Sequence, residues 1–145
     1  MKAVAACRGA VTIVNAIATG KGAAFGVDLE TDVSVELLDG PSEFTLDGER
    51  EGKDLASGCV LSAALMVGVK ASGAVVRVRS EIPISKGLKS SSAASNALVL
   101  AAVNAAGGTV KDEDMLDLAI DESVKAGVTI TGAFDDATAC FKGRA

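Results

Sequence analysis

Ile82-Pro83-Ile84-Ser85-Lys86-Gly87-Leu88-Lys89-Ser90-Ser91-Ser92-Ala93-Ala94-Ser95 joins two segments of opposite character. Before it, Ala74 to Ser80 alternates Val76 and Val78 with Arg77 and Arg79, the period of a half-exposed strand. After it, Ser90 to Ala106 holds only Ser, Ala, Leu, Val and Asn, and a helix apolar on nearly every side belongs inside a protein. The loop between them gathers a Gly, two Lys and three consecutive Ser at that helix's N-terminus. Free N–H groups, hydroxyls and ammonium charges in one place attract phosphate. Ser90 also reads as an ordinary N-cap. A cap needs a single Ser and leaves both Lys unexplained, which favours the phosphate reading.

Upstream, Val4 to Ala18 is apolar and β-branched and suits one or two strands, broken by Gly20-Lys21-Gly22. Val27 to Leu38 alternates at Val33, Val35 and Leu37. Asp39-Gly40-Pro41 is a turn, and Glu43-Phe44-Thr45-Leu46 before Asp47-Gly48 reads as a short hairpin arm, so the first third is expected to be a meander. Lys53 to Val69 reads as a helix with Leu55, Cys59, Leu61, Ala63, Leu65 and Met66 on its apolar face. Downstream, Thr109 and Asp112 form a weak capping box before a helix that stops at Gly127. Strands followed by helices, without a regular βαβ repeat, imply an α+β fold: a two-layer β-sheet plus helices.

The 145 residues carry a net charge of −5 and suit one domain. Histidine is absent, which excludes Ser-His-Asp and Cys-His nucleophiles and every His-ligated metal. Aromatic content is 3%, all Phe, so bases have no Trp or Tyr platform; with the acidic balance this argues against nucleic acid. No apolar run reaches the roughly 18 residues of a membrane span, and no signal peptide is evident, so a cytoplasmic location is expected. Cys7, Cys59 and Cys140, odd in number and set among Ala and Val, read as reduced core residues.

Two other decoys and two other sites remain. No Gly-x-x-x-x-Gly-Lys-Ser/Thr occurs, so the loop is not a Walker A motif. Gly20 to Gly26 imitates a dinucleotide fingerprint, but a strand follows where a helix is required. Thr131-Gly132-Ala133-Phe134-Asp135-Asp136-Ala137 sets two acids between small and apolar residues. It is either an exposed turn or helix start, or a carboxylate facing the phosphates and able to accept a hydroxyl proton. Glu122 lies three, four and seven residues after Ala119, Leu118 and Met115, on the apolar stripe of its helix. It is either a partly exposed edge residue or a core-facing carboxylate wanting a cation, and Mg²⁺ with a Ser hydroxyl would suit it.

The stretch Pro83-x-x-x-Gly87-Leu88-Lys89-Ser90-Ser91-Ser92-Ala93 resembles the phosphate loop of the GHMP kinases, and Gly132-Ala133-Phe134-Asp135-Asp136 resembles their later Asp motif. Gly9 to Gly20 and Gly22 to Leu29 add a resemblance to the archaeal-type shikimate kinases, which together covers essentially the whole chain. The resemblance implies a GHMP kinase N-terminal domain over residues 1–145 that transfers the γ-phosphoryl of ATP, with Mg²⁺, to shikimate; other GHMP kinases of the homoserine or mevalonate type are the alternative. It implies that Pro83, Lys86, Gly87, Leu88, Lys89, Ser90, Ser91, Ser92, Ala93 and Ala94 hold ATP, that Ser91 and Glu122 hold the metal, and that Asp135 is catalytic. Asn15, Lys21 and Asp135 are implied at the acceptor. Arg8, Arg77 and Arg79 are further candidates for an anionic substrate. Ala10 stands where several relatives carry Lys, and Lys89 replaces the second Gly of the loop. The family's C-terminal domain, with its third, Gly-rich motif, has no counterpart in this sequence, which implies a second copy or a partner chain to complete the cleft, or a non-catalytic half.

Overall fold

Alternation of buried Val33, Val35 and Leu37 with Asp32, Ser34 and Glu36 makes one face of a sheet apolar and leaves the other charged. The structure is a computed structural model that describes residues 2–14, 17, 19–39, 44–47, 52–83, 86–128 and 134–142. Strands β1 (Lys2–Val14) and β2 (Ala23–Leu38) pair antiparallel, and β4 (Gly73–Ser80) pairs antiparallel with the other side of β2. The hairpin arm expected before Asp47 is instead β3 (Phe44–Asp47), which pairs parallel with β4 at the far edge, giving the order β1-β2-β4-β3. The first third is therefore no simple meander. Helix α1 (Lys53–Met66) makes the crossover between β3 and β4, and a parallel neighbour requires such a connection.

Helix α2 (Ser90–Ala105) lies against β1 and β2 and also touches α1 and the two later helices, α3 (Asp112–Lys125) and α4 (Phe134–Lys142). Its burial on nearly every side follows from this central place: Ala97, Leu98, Ala101 and Ala102 are all inaccessible. Small residues let the neighbours approach, and the two polar side chains it buries are hydrogen-bonded. Ser95 Oγ donates to Ser92 O at 3.1 Å, and Asn96 Nδ2 to Ala137 O at 2.8 Å.

Local details differ from expectation where tertiary contacts decide. Leu65 and Met66 are exposed rather than on the packed face of α1, because the packed stripe runs through Leu55, Ala56, Cys59, Val60, Ala63, Ala64 and Val67 and leaves positions 65 and 66 outside it. Thr109 does not cap α3; Lys111 occupies the N-cap position without a side-chain bond, and Asp112, Glu113 and Asp114 compensate the helix end by charge. Residues 134–142 form a helix, so Asp135 and Asp136 sit in a first turn. Cys7, Cys59 and Cys140 are buried in the core, as expected. Among the described residues no helix is long and apolar enough to cross a membrane.

Candidate functional site

The loop leading into α2 is pinned to β1 at an irregularity of the β1–β2 ladder. Pairing jumps from Arg8↔Glu30 to Ala10↔Gly26, so β2 carries extra residues there. At this break Ala10 N donates to Leu88 O at 3.0 Å. A Cβ on Gly9 would stand 2.7 Å from the same carbonyl, so only glycine permits the approach. No local pattern marks Gly9 as serving the loop.

Gly87 and Lys89 both adopt left-handed backbone, with φ of 72° and 59°. Lys89, not Ser90, is the N-cap of α2, and no side chain caps the helix. The cap reading of Ser90 therefore falls: a residue inside the first turn cannot stand at the position a cap needs. No acid lies in that turn either, so the helix presents uncompensated N–H groups beside the hydroxyls of Ser90, Ser91 and Ser92. None of these hydroxyls has a hydrogen-bond partner among the described residues. Ser90, Ser91 and Ser92 are half-buried, Ala93 and Ala94 are fully buried behind them, and Pro83, Lys86 and Gly87 are exposed with Leu88 half-buried.

The Asp motif comes to the same place. Lys89 Nζ lies 3.0 Å from Asp136 Oδ2, tying the loop to the start of α4. Asp135 next to it packs its carboxylate against Gly22, in the space a Cβ there would occupy. Gly22 is thus a cradle for Asp135 and sets Lys21 beside it in the chain. Local pattern reads Gly20-Lys21-Gly22 as a break, and the resemblance implies Lys21 at the acceptor, but neither marks Gly22 as a cradle for Asp135. Residues 131–133 and Asn15 lie outside the described residues.

The competing cations are accounted for. Arg8 pairs with Glu30 at 3.5 Å, and Arg79 and Arg77 approach Asp47 at 3.3 and 4.0 Å, all on the sheet face turned away from α2. Lys21 is exposed and forms no ion pair among the described residues. Glu122 is 7% exposed, which overturns the edge alternative. Its Oε1 accepts from Ser62 Oγ at 3.1 Å and Lys125 Nζ at 3.0 Å, while Oε2 packs on Gly58 of α1. This carboxylate holds the Lys125 ammonium above its ordinary pKa. Burial pushes the Cys7 and Cys140 thiols up to about 12, so neither is a nucleophile.

The family profile described as GHMP kinases N terminal domain matches residues 54–144. The chain belongs to the GHMP kinases. It is 48% identical over 138 residues to a shikimate kinase of Methanococcoides burtonii, covering 93% of this chain and 48% of that one. A shikimate kinase of Pyrococcus furiosus is 43% identical over 144 residues, covering 92% and 50%. The chain thus spans about half the length of the curated relatives it matches. Among solved structures, homoserine kinase from Cytophaga hutchinsonii superposes with a TM-score of 0.75 at 21% identity, over 96% of this chain and 45% of that one. Mevalonate kinase of Methanococcus jannaschii gives 0.71 at 17%, over 99% and 52%. These likenesses establish the α+β fold of a GHMP kinase N-terminal domain.

Proposed function

We propose that this chain is the ATP-binding half of a shikimate kinase, transferring the γ-phosphoryl of ATP to the 3-hydroxyl of shikimate in the synthesis of chorismate and the aromatic amino acids. The observation that carries the reading is the uncapped, serine-rich start of α2 tied through Lys89 to the Asp135–Asp136 turn. Identities of 42–48% to proteins named shikimate kinase support the choice of acceptor.

In this reading the α2 N–H groups, the three Ser hydroxyls and Lys86 hold the phosphates. Asp135 aligns the acceptor hydroxyl and takes its proton, and Lys21 attracts the substrate carboxylate. Phosphoryl transfer needs little else from a protein than position and charge. The donors fit a nucleotide-borne Mg²⁺, which takes most of its ligands from phosphate and water and needs one or two protein oxygens. Ser91, with its unpartnered hydroxyl, and Glu122, now bonded to Ser62 and Lys125, would be the residues to hold it. When bound, Mg²⁺ neutralises charge on the phosphate oxygens.

The complete site needs a second half like that of the relatives, in this chain or a partner, or a second copy. Exposed Ile13, Val14 and Phe25 at one end of the β1–β2 ladder offer apolar surface for that contact. Free buried thiols agree with a reducing, cytoplasmic setting.

The test is ATP-dependent phosphorylation of shikimate, homoserine and mevalonate by this chain, with mass detection of product and calorimetry of MgATP binding. Shikimate 3-phosphate alone supports the reading, and phosphorylation of another acceptor overturns the choice of shikimate. MgATP binding without any product supports a half-enzyme. Absence of both product and nucleotide binding overturns the proposal.

A further inference from the structure

A lysine in left-handed backbone is costly compared with glycine, so Lys89, at φ 59°, invites the question of what its side chain does. The ammonium does not extend into solvent. It lies 3.0 Å from Asp136 Oδ2, and the two side chains are 27% and 24% exposed. The other oxygen of Asp136, Oδ1, is buried and has no partner. Lys89 is therefore the one counter-charge paired with this carboxylate among the described residues, and removing it leaves a largely buried anion that must shift or protonate.

The same residue fixes α4 a second way, since its carbonyl oxygen lies 3.9 Å from Cys140 Sγ. Asn96 of α2 adds a buried bond to Ala137 O. The first turn of α4 is thus moored to α2 at Asp136 and Ala137, on the C-terminal side of Asp135. Asp135 itself meets Gly22 without space to spare. A small rotation of that turn would lift its carboxylate off Gly22.

We propose that Lys89 is a positioning residue: by pairing with Asp136 it locks the start of α4 to the phosphate loop and so holds Asp135 against Gly22. The consequence for catalysis rests on the phosphoryl-transfer reading; the mooring itself does not. In that role Lys89 governs alignment of the acceptor and not affinity for the nucleotide.

The test uses the whole chain with K89M, D136N, the double variant and K89R. It records the Gly22 amide and Asp135 carboxylate resonances, the MgATP dissociation constant and, where the parent chain turns over, kcat. Expected are displaced Gly22 and Asp135 signals in K89M and D136N, non-additive in the double variant and restored in K89R. MgATP affinity should stay within about threefold while kcat falls about 10- to 100-fold, the scale of a small misplacement. Unmoved Gly22 and Asp135 signals overturn the proposal. So does a tenfold or greater loss of MgATP affinity in K89M with kcat intact, which would make Lys89 a phosphate ligand. A parent chain that phosphorylates no acceptor and binds no MgATP, yet shows the coupled shifts, overturns the kinase reading and keeps the mooring.

Discussion

Helices α2 and α4 begin side by side and are built in opposite ways. The first turn of α4 carries Asp135 and Asp136, acids that compensate the positive end of a helix. The first turn of α2 carries three Ser and no acid, behind an N-cap that bonds nothing through its side chain. One end carries negative charge of its own and presents carboxylates; the other carries none. On the proposed reading, the difference divides the labour of a phosphoryl transferase, with phosphates at one helix start and the acceptor at the other. Lys89 neutralises one of the two acids and keeps the pair in register.

The largest effect should come from removing the chemistry of the α4 end alone. Asp135→Asn should lower kcat by about 10³-fold, within the range of general-base losses, and leave MgATP affinity within about twofold. A steady-state assay of the active assembly with calorimetry checks the split; equal losses in both would erase the division between the two ends. Gly22→Ala comes next. Its Cβ would overlap the Asp135 carboxylate, so kcat should fall about 10²-fold with Asp135 still present.

Ser91→Asp makes the α2 end resemble the others. The variant should weaken MgATP binding about tenfold, by placing charge where phosphate belongs. It should also raise the stability of the unliganded fold by about 0.5 kcal/mol through the helix dipole. Calorimetry and urea unfolding read the two opposite signs, and a loss of stability would show that the end is not electrostatically open.

The effect that is smallest near neutral pH, and grows only under alkaline conditions, concerns the buried thiols beneath both ends. Cys7 and Cys140 titrate at about 12 in the fold and at 9.0 when exposed. Their folded pKa is raised, so the unfolded chain releases protons first and stability falls as pH climbs from 9 towards 12. Lys125, raised above 10.5 by Glu122, adds to the same alkaline limb. Urea midpoints across this window should decline, less steeply in Cys140→Ala, and thiol reagents at pH 8 should react only as fast as the protein opens.

Most elements were legible because their patterns are local. Val76 and Val78 against Arg77 and Arg79 give a strand of period two, and Ser90 to Ala106 gives a helix with no polar face. The partner of β3 was not legible: residues 44–47 fit any edge, and only the α1 crossover makes β4 their parallel neighbour. The helix after the Asp motif was likewise open between turn and helix start. At the site, the gathering of Ser, Lys and Gly in one run before α2 was readable. That Lys89 turns to Asp136 was not, because ammonium and carboxylate stand 47 positions apart in sequence and meet only where α2 and α4 pack.

The sequence by itself determined the α+β class and the residue types gathered in the loop before α2, since these depend on composition and on spacing within one element, while the family followed from the resemblance of its motifs to those of the GHMP kinases. Only the tertiary structure decided that Gly9 admits Leu88 O, that Gly22 cradles Asp135, and that Glu122 faces Ser62. Each of these is a contact between distant segments, and its strength depends on ångström-scale approach that no local pattern encodes.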